Sequence, residues 1–430
     1  MIARKKMEAN RERSLWRALT PDGRWLFAAR LTRLFAYGFL SVVLALYLSA
    51  AGLAETQIGL LLTLTLIGDA VISLWITTHA DRLGRRRMLM VGAALMLSAG
   101  LLFAATRNFA LLVTAATLGV ISPSGNEVGP FLSIELAALS QLTPDDRRTH
   151  VLAWYSLTGS LATALGALAG GWLAQSLQSL GAPPFESYRA VVVGCAVAGL
   201  LLMLVFTRLS PAVETSPLSL SGRGAGGEGW LGLHRSRRIV FKLSALFALD
   251  AFAGGFVVQS LVAYWFHVRF GVEPGALGGI FFGANLLTGV SALAAARVAA
   301  RVGLMNTMVL THLASNLLLM LVPLMPSLPL AIGVLLVRFS ISQMDVPTRQ
   351  SYTLAVVAPD ERAAAAGVTG VARTVGAALA PALAGPLLAI PALIGAPFFI
   401  AGALKIAYDL TLFWSFRALK PPEESAARRA

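Results

Sequence analysis

The sequence predicts an all-α integral membrane protein with twelve transmembrane helices in two pseudo-symmetric six-helix bundles. Composition is the first observation behind this. Hydrophobic residues make up 57% of the chain and charged ones 13%, with mean hydropathy +0.72, whereas a soluble domain carries roughly 25% charged residues. The second is that the apolar residues fall into separate runs of about twenty, the length that crosses a bilayer as a helix. They lack the ten-residue alternation of a transmembrane barrel. The third is repetition: short features of the first half recur in the same order in the second, as in two parallel copies of one unit.

In chain order, residues 1–24 form a basic tail. It has no apolar core of the kind a cleaved signal peptide needs, so the first span is expected to act as the uncleaved signal. The predicted spans are 26–50, 56–79, 87–106, 108–140, 151–177 and 188–208, then 239–266, 274–298, 305–324, 329–357, 364–390 and 394–418. The fourth and tenth exceed bilayer thickness and are expected to tilt or extend beyond it. Cys195, in the sixth span, is the single cysteine, which excludes an intramolecular disulfide and a thiolate metal site. Between the sixth and seventh spans, Ser221-Gly222-Arg223-Gly224-Ala225-Gly226-Gly227 reads as a flexible linker. The predicted organisation is therefore a tail (1–24), a bundle (25–208), a linker (209–237), a second bundle (238–418) and a tail (419–430). Tyr264-Trp265-Phe266-His267 ends the seventh span and fits an aromatic belt at the membrane interface.

The formal charge is +14, and its placement argues topology rather than nucleic-acid binding. About 25 of the 35 Lys and Arg fall on one side of the predicted spans. Only Arg107, Arg189 and Arg269 fall on the other. Positive charge is retained on the cytoplasmic face, so both termini are expected inside a cytoplasmic (inner) membrane. No basic surface with interleaved aromatic residues is large enough for a nucleic-acid module.

One polar stretch stands between the second and third spans: Asp81-Arg82-Leu83-Gly84-Arg85-Arg86-Arg87. Gly84 permits a tight turn, and Asp81 can accept from an arginine or a helix N-terminus. Ala300-Arg301-Val302-Gly303 is its weaker echo, without the acid. Pro144-Asp145-Asp146-Arg147 is echoed by Pro359-Asp360-Glu361-Arg362. A small-residue helix follows each of these, with Gly166-Ala167-Leu168-Ala169-Gly170-Gly171 in the first half and Ala380-Pro381-Ala382-Leu383-Ala384-Gly385 in the second.

On these residues the chain resembles the major facilitator superfamily over about residues 25–418. The resemblance implies two bundles that rock around a central site and expose it alternately to each side. It also implies a cytoplasmic gate at Asp81, Arg82, Gly84, Arg85 and Arg86, with Asp81 and Arg82 linking the bundles when that side is closed. Two departures from the family pattern are visible. Ala167 stands where many proton-driven exporters carry a proline, and Leu111 to Gly119 lacks the arginine common in proton-coupled members.

An ionisable residue at mid-membrane costs about 2.5–3.5 kcal/mol or more, so each needs a partner, water or a function. The proton or substrate candidates are Glu127, Asp250, Asp69 and Asp345; the substrate-anion candidates are Arg33, Arg338, Arg349 and Arg373. Glu127 lies among Pro123, Gly125, Gly129 and Pro130, which interrupt a helix. Their freed backbone groups are tolerated only against protein or a watery cavity. Asp345 and Arg349 are spaced for an intrahelical pair, as are Lys405 and Asp409, and Asp69 is expected to neutralise Arg373.

The histidines show no zinc-ligand spacing, and no phosphate-binding glycine loop with a lysine is present. No cofactor is implied and no enzyme constellation is visible. The predicted function is secondary active transport of a small solute by alternating access, with proton-coupled export favoured and a monomer in the lipid bilayer expected. Alternatives are an organic-anion uniporter or exchanger, a nutrient uptake permease, or a non-transporting membrane receptor on the same fold.

Overall fold

A computed structural model of the chain describes residues 19–126, 129–214, 234–358 and 361–417, and every regular element among them is helical. In the first half these are α1 (Pro21–Ser41), α2 (Leu44–Ala50), α3 (Glu55–Leu83), α4 (Arg85–Ala105), α5 (Phe109–Leu118), α6 (Phe131–Leu142), α7 (Asp145–Ser179) and α8 (Pro184–Thr207). The second half holds α9 (Arg237–Gly255), α10 (Gln259–Phe270), α11 (Pro274–Val302), α12 (Leu304–Leu321), α13 (Leu328–Ile341), α14 (Asp345–Val356), α15 (Arg362–Leu388) and α16 (Ala396–Phe416). Among the described residues ten spans are long and apolar enough to cross a membrane, and the α1–α2 pair, bent by 46°, makes an eleventh. The fourth predicted span is occupied by the two short apolar helices α5 and α6.

The first and fourth spans of each half are the broken ones. In the fourth, α5 starts at Asn108, whose side chain accepts from the N–H of Ala110 and Leu111, and stops at Gly119. Pro123 and Pro130 have no N–H to continue a helix, and Gly125 and Gly129 take positive φ of 69° and 86°. The carbonyl of Pro123 is used across the molecule, accepting from both the N–H and the hydroxyl of Ser260. The tenth span breaks at residues 342–344, just ahead of Pro347. Pro347 falls in the first turn of α14, where its missing N–H costs nothing. The breaks at 42–43 and 256–258 fall inside the predicted spans 26–50 and 239–266, and neither Val42-Val43 nor Phe256-Val257-Val258 contains a proline. α7 also begins six residues ahead of its predicted start, at Asp145.

The small-residue motif of the fifth span is explained by packing on two sides. A Cβ at Gly166 or Gly170 would lie 2.0 or 2.1 Å from the carbonyl oxygen of Phe35 or Phe39 on α1, and one at Gly171 would lie 2.3 Å from that of Pro274 on α11. Small residues thus let α7 touch its own half on one face and the other half on the next. A second inter-half seam joins α3 to α15. A Cβ at Gly59 would meet the Pro381 oxygen at 2.3 Å, and the Ala382 N–H donates to Thr63 Oγ1 at 2.9 Å. Tyr264 donates to Glu55 (2.8 Å) and Gln259 to Ser41 (2.8 Å) at the same end.

At the opposite end, which carries the basic loops, Arg85 and Arg86 of the motif contact their own half. Gly84 turns with φ 101°. Asp81 accepts from Arg85 Nε at 3.1 Å, and Arg85 also donates to Gln141 and to the Val213 carbonyl. Glu214 caps the start of α4, accepting from the N–H of Arg85 (2.6 Å) and Arg86 (3.2 Å). Arg86 reaches the Thr207 carbonyl, and Arg82 is exposed. The motif therefore clips the second, third, fourth and sixth spans together in this conformation.

The second half uses a related clip. Glu361 accepts from the backbone N–H of His234, Arg235 and Ser236 at the start of α9, at 3.0, 2.7 and 2.8 Å. Burial pushes this carboxyl up, but those N–H donors outweigh it and hold it down to about 2. A lowered folded-state value means the ionised carboxylate contributes stability that is complete above the ordinary 4.5 and lost as pH falls through about 2. Glu361→Gln should therefore lower the melting temperature at neutral pH, and the gap to wild type should close across that acid window. A gap that stays constant with pH would contradict the cap.

Candidate functional site

The broken spans converge on a cavity between the two halves. A polar lobe of about 430 Å³ is lined by Arg30 and Thr163 from the first half and by Asp250, His312, Arg338, Asp345, Arg349, Arg373 and Lys405 from the second. A larger lobe of about 710 Å³ lies between the second and eleventh spans, with Leu66, Val71, Leu74, Val371 and Val375 in its walls beside Asp69 and Ser133. Asn126, Asp250, Arg373 and Lys405 border both lobes and join them.

Asp250 is the electrostatic centre. Its Oδ1 accepts from Lys405 Nζ at 2.5 Å, and its Oδ2 from Arg349 Nη1 at 3.1 Å. Arg373 Nη1 lies 3.6 Å from the same Oδ2, and His312 Nε2 lies 3.6 Å from Oδ1. The Gly254-Gly255 turn ends α9 one helical turn later, which lets the Asp250 backbone sit against α15 and α16: a Cβ at Gly255 would lie 2.5 Å from the Ala377 oxygen. Arg349 also holds Asp345 at 3.1 Å, the intrahelical pair its spacing predicts.

Arg338, Arg349 and Arg373 all line the polar lobe, as does Arg30, whose guanidinium lies 4.4 Å over the ring of Tyr155. Asp69 borders the larger lobe together with Arg373, yet Arg373 reaches Asp250 on the seventh span, so the expected Asp69–Arg373 neutralisation gives way to a pair with Asp250. Glu127 lies outside the described residues.

Arg33 corrects an expectation. It is fully buried and donates both terminal nitrogens to Glu135, at 2.7 and 2.6 Å. Tyr155 donates to the same carboxylate. A planar guanidinium matched two-to-two to a carboxylate has no donor left facing a ligand on that edge, so Arg33 braces α1 against α6 and α7 and does not line the cavity. Lys405 and Asp409 are also not the pair their spacing suggested. Lys405 turns inward to Asp250, while Asp409 accepts from His312 Nδ1 at 2.7 Å and Asn316 Nδ2 at 3.0 Å.

Glu135 was missed from sequence although an acid among Ser133-Ile134 and Leu136-Ala137 was a visible signal. His312 gave no signal, because its neighbours lie on the twelfth and seventh spans. Nothing in the spacing of the twelfth span shows that Lys405 lines the cavity.

The architecture has solved counterparts. The chain matches the family model described as Major Facilitator Superfamily over residues 26–381. It is 31% identical over 421 residues to an uncharacterized membrane protein of Saccharomyces cerevisiae, covering 92% of this chain and 94% of that one. It shares the fold of a D-xylose–proton symporter, with TM-score 0.70 and 15% identity over 91% of this chain and 97% of that one. It also shares the fold of the human organic anion transporter MFSD10, with TM-score 0.61 and 18% identity over 91% of this chain and the whole of the other. With a family match across most of its length and this arrangement of broken and continuous spans, the chain belongs to the Major Facilitator Superfamily.

Proposed function

We propose that this membrane carrier moves an amphipathic organic anion by alternating access. The observation that carries the reading is the charge of the polar lobe. Among the described residues it presents five fixed cations (Arg30, Arg338, Arg349, Arg373, Lys405) against two acids (Asp250, Asp345). The single formal charge of Glu127 could not reverse that excess. Positive charge gathered in a low-dielectric site is costly unless something anionic shares it. Asp250 is already held by cations, which leaves it poorly suited to attract a substrate cation. The apolar walls of the adjoining lobe suit the body of the solute, and both lobes lie within the roughly 300–1,000 Å³ of small-molecule sites.

The seams at Gly59 and Gly171 close one end, and α6 and α14 at the basic end pack on helices of their own halves. Read with the positive-inside rule, the basic end is cytoplasmic, both termini lie inside, and the molecule is in its inward-facing state. The Asp81 and Arg82 gate would then engage across the halves in the outward-facing state. On sequence alone proton-coupled export is favoured and an organic-anion uniporter or exchanger is its alternative; the charge of the lobe supports the alternative's substrate class, and the direction of transport follows the gradients.

Thermal stabilisation of the purified protein tests the reading with benzoate, phenyl phosphate and benzenesulfonate against the lipophilic cation tetraphenylphosphonium. The anions should stabilise it and the cation should not. Arg338→Ala should weaken anion binding by roughly 10- to 100-fold, the loss of a charge-assisted contact worth about 1.5–3 kcal/mol. Stabilisation by the cation alone would overturn the assignment.

A further inference from the structure

Away from the anion-facing arginines, the cavity runs into a buried pair that the transport reading leaves without a role: His312 on α12 and Asp409 on α16. Asp409 is fully buried. Its carboxylate accepts from His312 Nδ1 at 2.7 Å and from Asn316 Nδ2 at 3.0 Å. The nearest lysine on its own helix, Lys405, is committed to Asp250 at 2.5 Å. His312 therefore stands between two carboxylates, with Nδ1 on Asp409 and Nε2 3.6 Å from Asp250 Oδ1. The Tyr408 ring packs edge-on against the imidazole at 5.8 Å, and His312 borders the polar lobe.

We infer that His312 and Asp409 form a proton-binding site coupled through Asp250 to anion binding. The inference rests on the anion reading of the cavity. The physical argument begins with Asp409. A carboxylate in that position is expensive, and its polar contacts are an imidazole and a neutral amide, so the geometry favours holding one proton beyond neutral histidine and ionised aspartate on the pair. That proton resides on the imidazole or on Asp409, and in the imidazolium form Nε2–H points toward Asp250.

The second half of the argument is competition. Asp250 shares Lys405, Arg349 and Arg373 with the lobe that receives the anion, and Asp345 draws on Arg349 as well. An anion that takes these cations leaves Asp250 uncompensated. The imidazolium then passes its Nε2 proton to Asp250 Oδ1, and a proton from solvent, entering through the cavity, restores the His312–Asp409 pair. The balance is about one proton taken up for each singly charged anion bound, with no covalent chemistry. A carrier built this way moves proton and anion together.

The test uses the full-length purified protein in weak buffer with a pH indicator and whichever of benzoate, phenyl phosphate and benzenesulfonate stabilises it most. Wild type should take up about one proton per singly charged anion bound. Asp409→Asn keeps the shape and can still hydrogen-bond His312 and Asn316. It should retain anion-induced stabilisation and lose the proton uptake. His312→Gln is the second variant, and should also lose proton uptake. Anion binding without proton uptake in wild type would overturn the coupling and leave the anion reading standing. Undiminished proton uptake in either variant would overturn the site. Failure of all three anions to bind wild type would overturn the anion reading, and the coupling with it.

Discussion

Arg33→Met is expected to be among the most destabilising single changes in the first half. It strips Glu135 of a cation that contacts it at 2.6 and 2.7 Å inside a fully buried pocket. Removing one member of a buried ion pair costs about 3–5 kcal/mol, because the remaining charge is left desolvated, whereas replacing both members by apolar residues is often neutral. Arg33→Met and Glu135→Leu should each sharply reduce the fraction of protein recovered as a monodisperse peak from detergent. The double variant should recover most of it. Singles that melt with wild type, or a double no better than either single, would show that the pair is not the brace proposed. Tyr155→Phe isolates the third member and should cost less, since it removes one hydroxyl donor to the same carboxylate and leaves the charges matched.

Gly59→Val should have the next largest effect, and on transport more than on folding. Its Cβ would fall 2.3 Å from the Pro381 oxygen and 3.0 Å from the Gly385 Cα, too close for the α3–α15 seam to remain shut. Overpacking of this kind costs about 1–3 kcal/mol. Charged to only one of two conformations, that is roughly a 5- to 150-fold change in their ratio. Transport should fall with protein yield preserved, and labelling at positions facing the seam should rise. Normal flux in Gly59→Val would mean that this seam does not have to close tightly during turnover.

Much of the architecture was legible in the sequence because bilayer length, loop charge and helix-breaking residues act locally along the chain. The break in the fourth span was readable from Pro123, Gly125, Gly129 and Pro130. The break at Val42-Val43 was not, because no proline or glycine marks it; one turn earlier α1 packs closely on α7 at Gly38, whose Cβ would meet the Thr163 oxygen at 2.1 Å. The same division holds at the site. Asp345–Arg349 follows from four-residue spacing on one helix face, and that pair is present. Lys405–Asp250, Arg33–Glu135 and His312–Asp409 join residues 155, 102 and 97 positions apart. No periodicity reports such partners. Lys405 and Asp409 show the risk of local spacing most clearly, since each has a stronger partner on another helix than on its own. The Asp81 to Arg87 loop was read as a link between halves. In this conformation its arginines clip one half together, and the link belongs to the proposed outward-facing state.

The central claim is that an organic anion crosses by alternate opening of the inter-half seam. Flux of the best-binding anion into proteoliposomes tests it most directly, using Thr63→Cys with Ala382→Cys in a Cys195→Ala background. Thr63 and Ala382 already meet across the seam at 2.9 Å. Under reducing conditions the anion should accumulate inside the vesicles. After oxidation flux should stop, binding should persist from the basic end, and reductant should restore transport. Undiminished flux with the seam covalently closed would contradict alternating access in this protein.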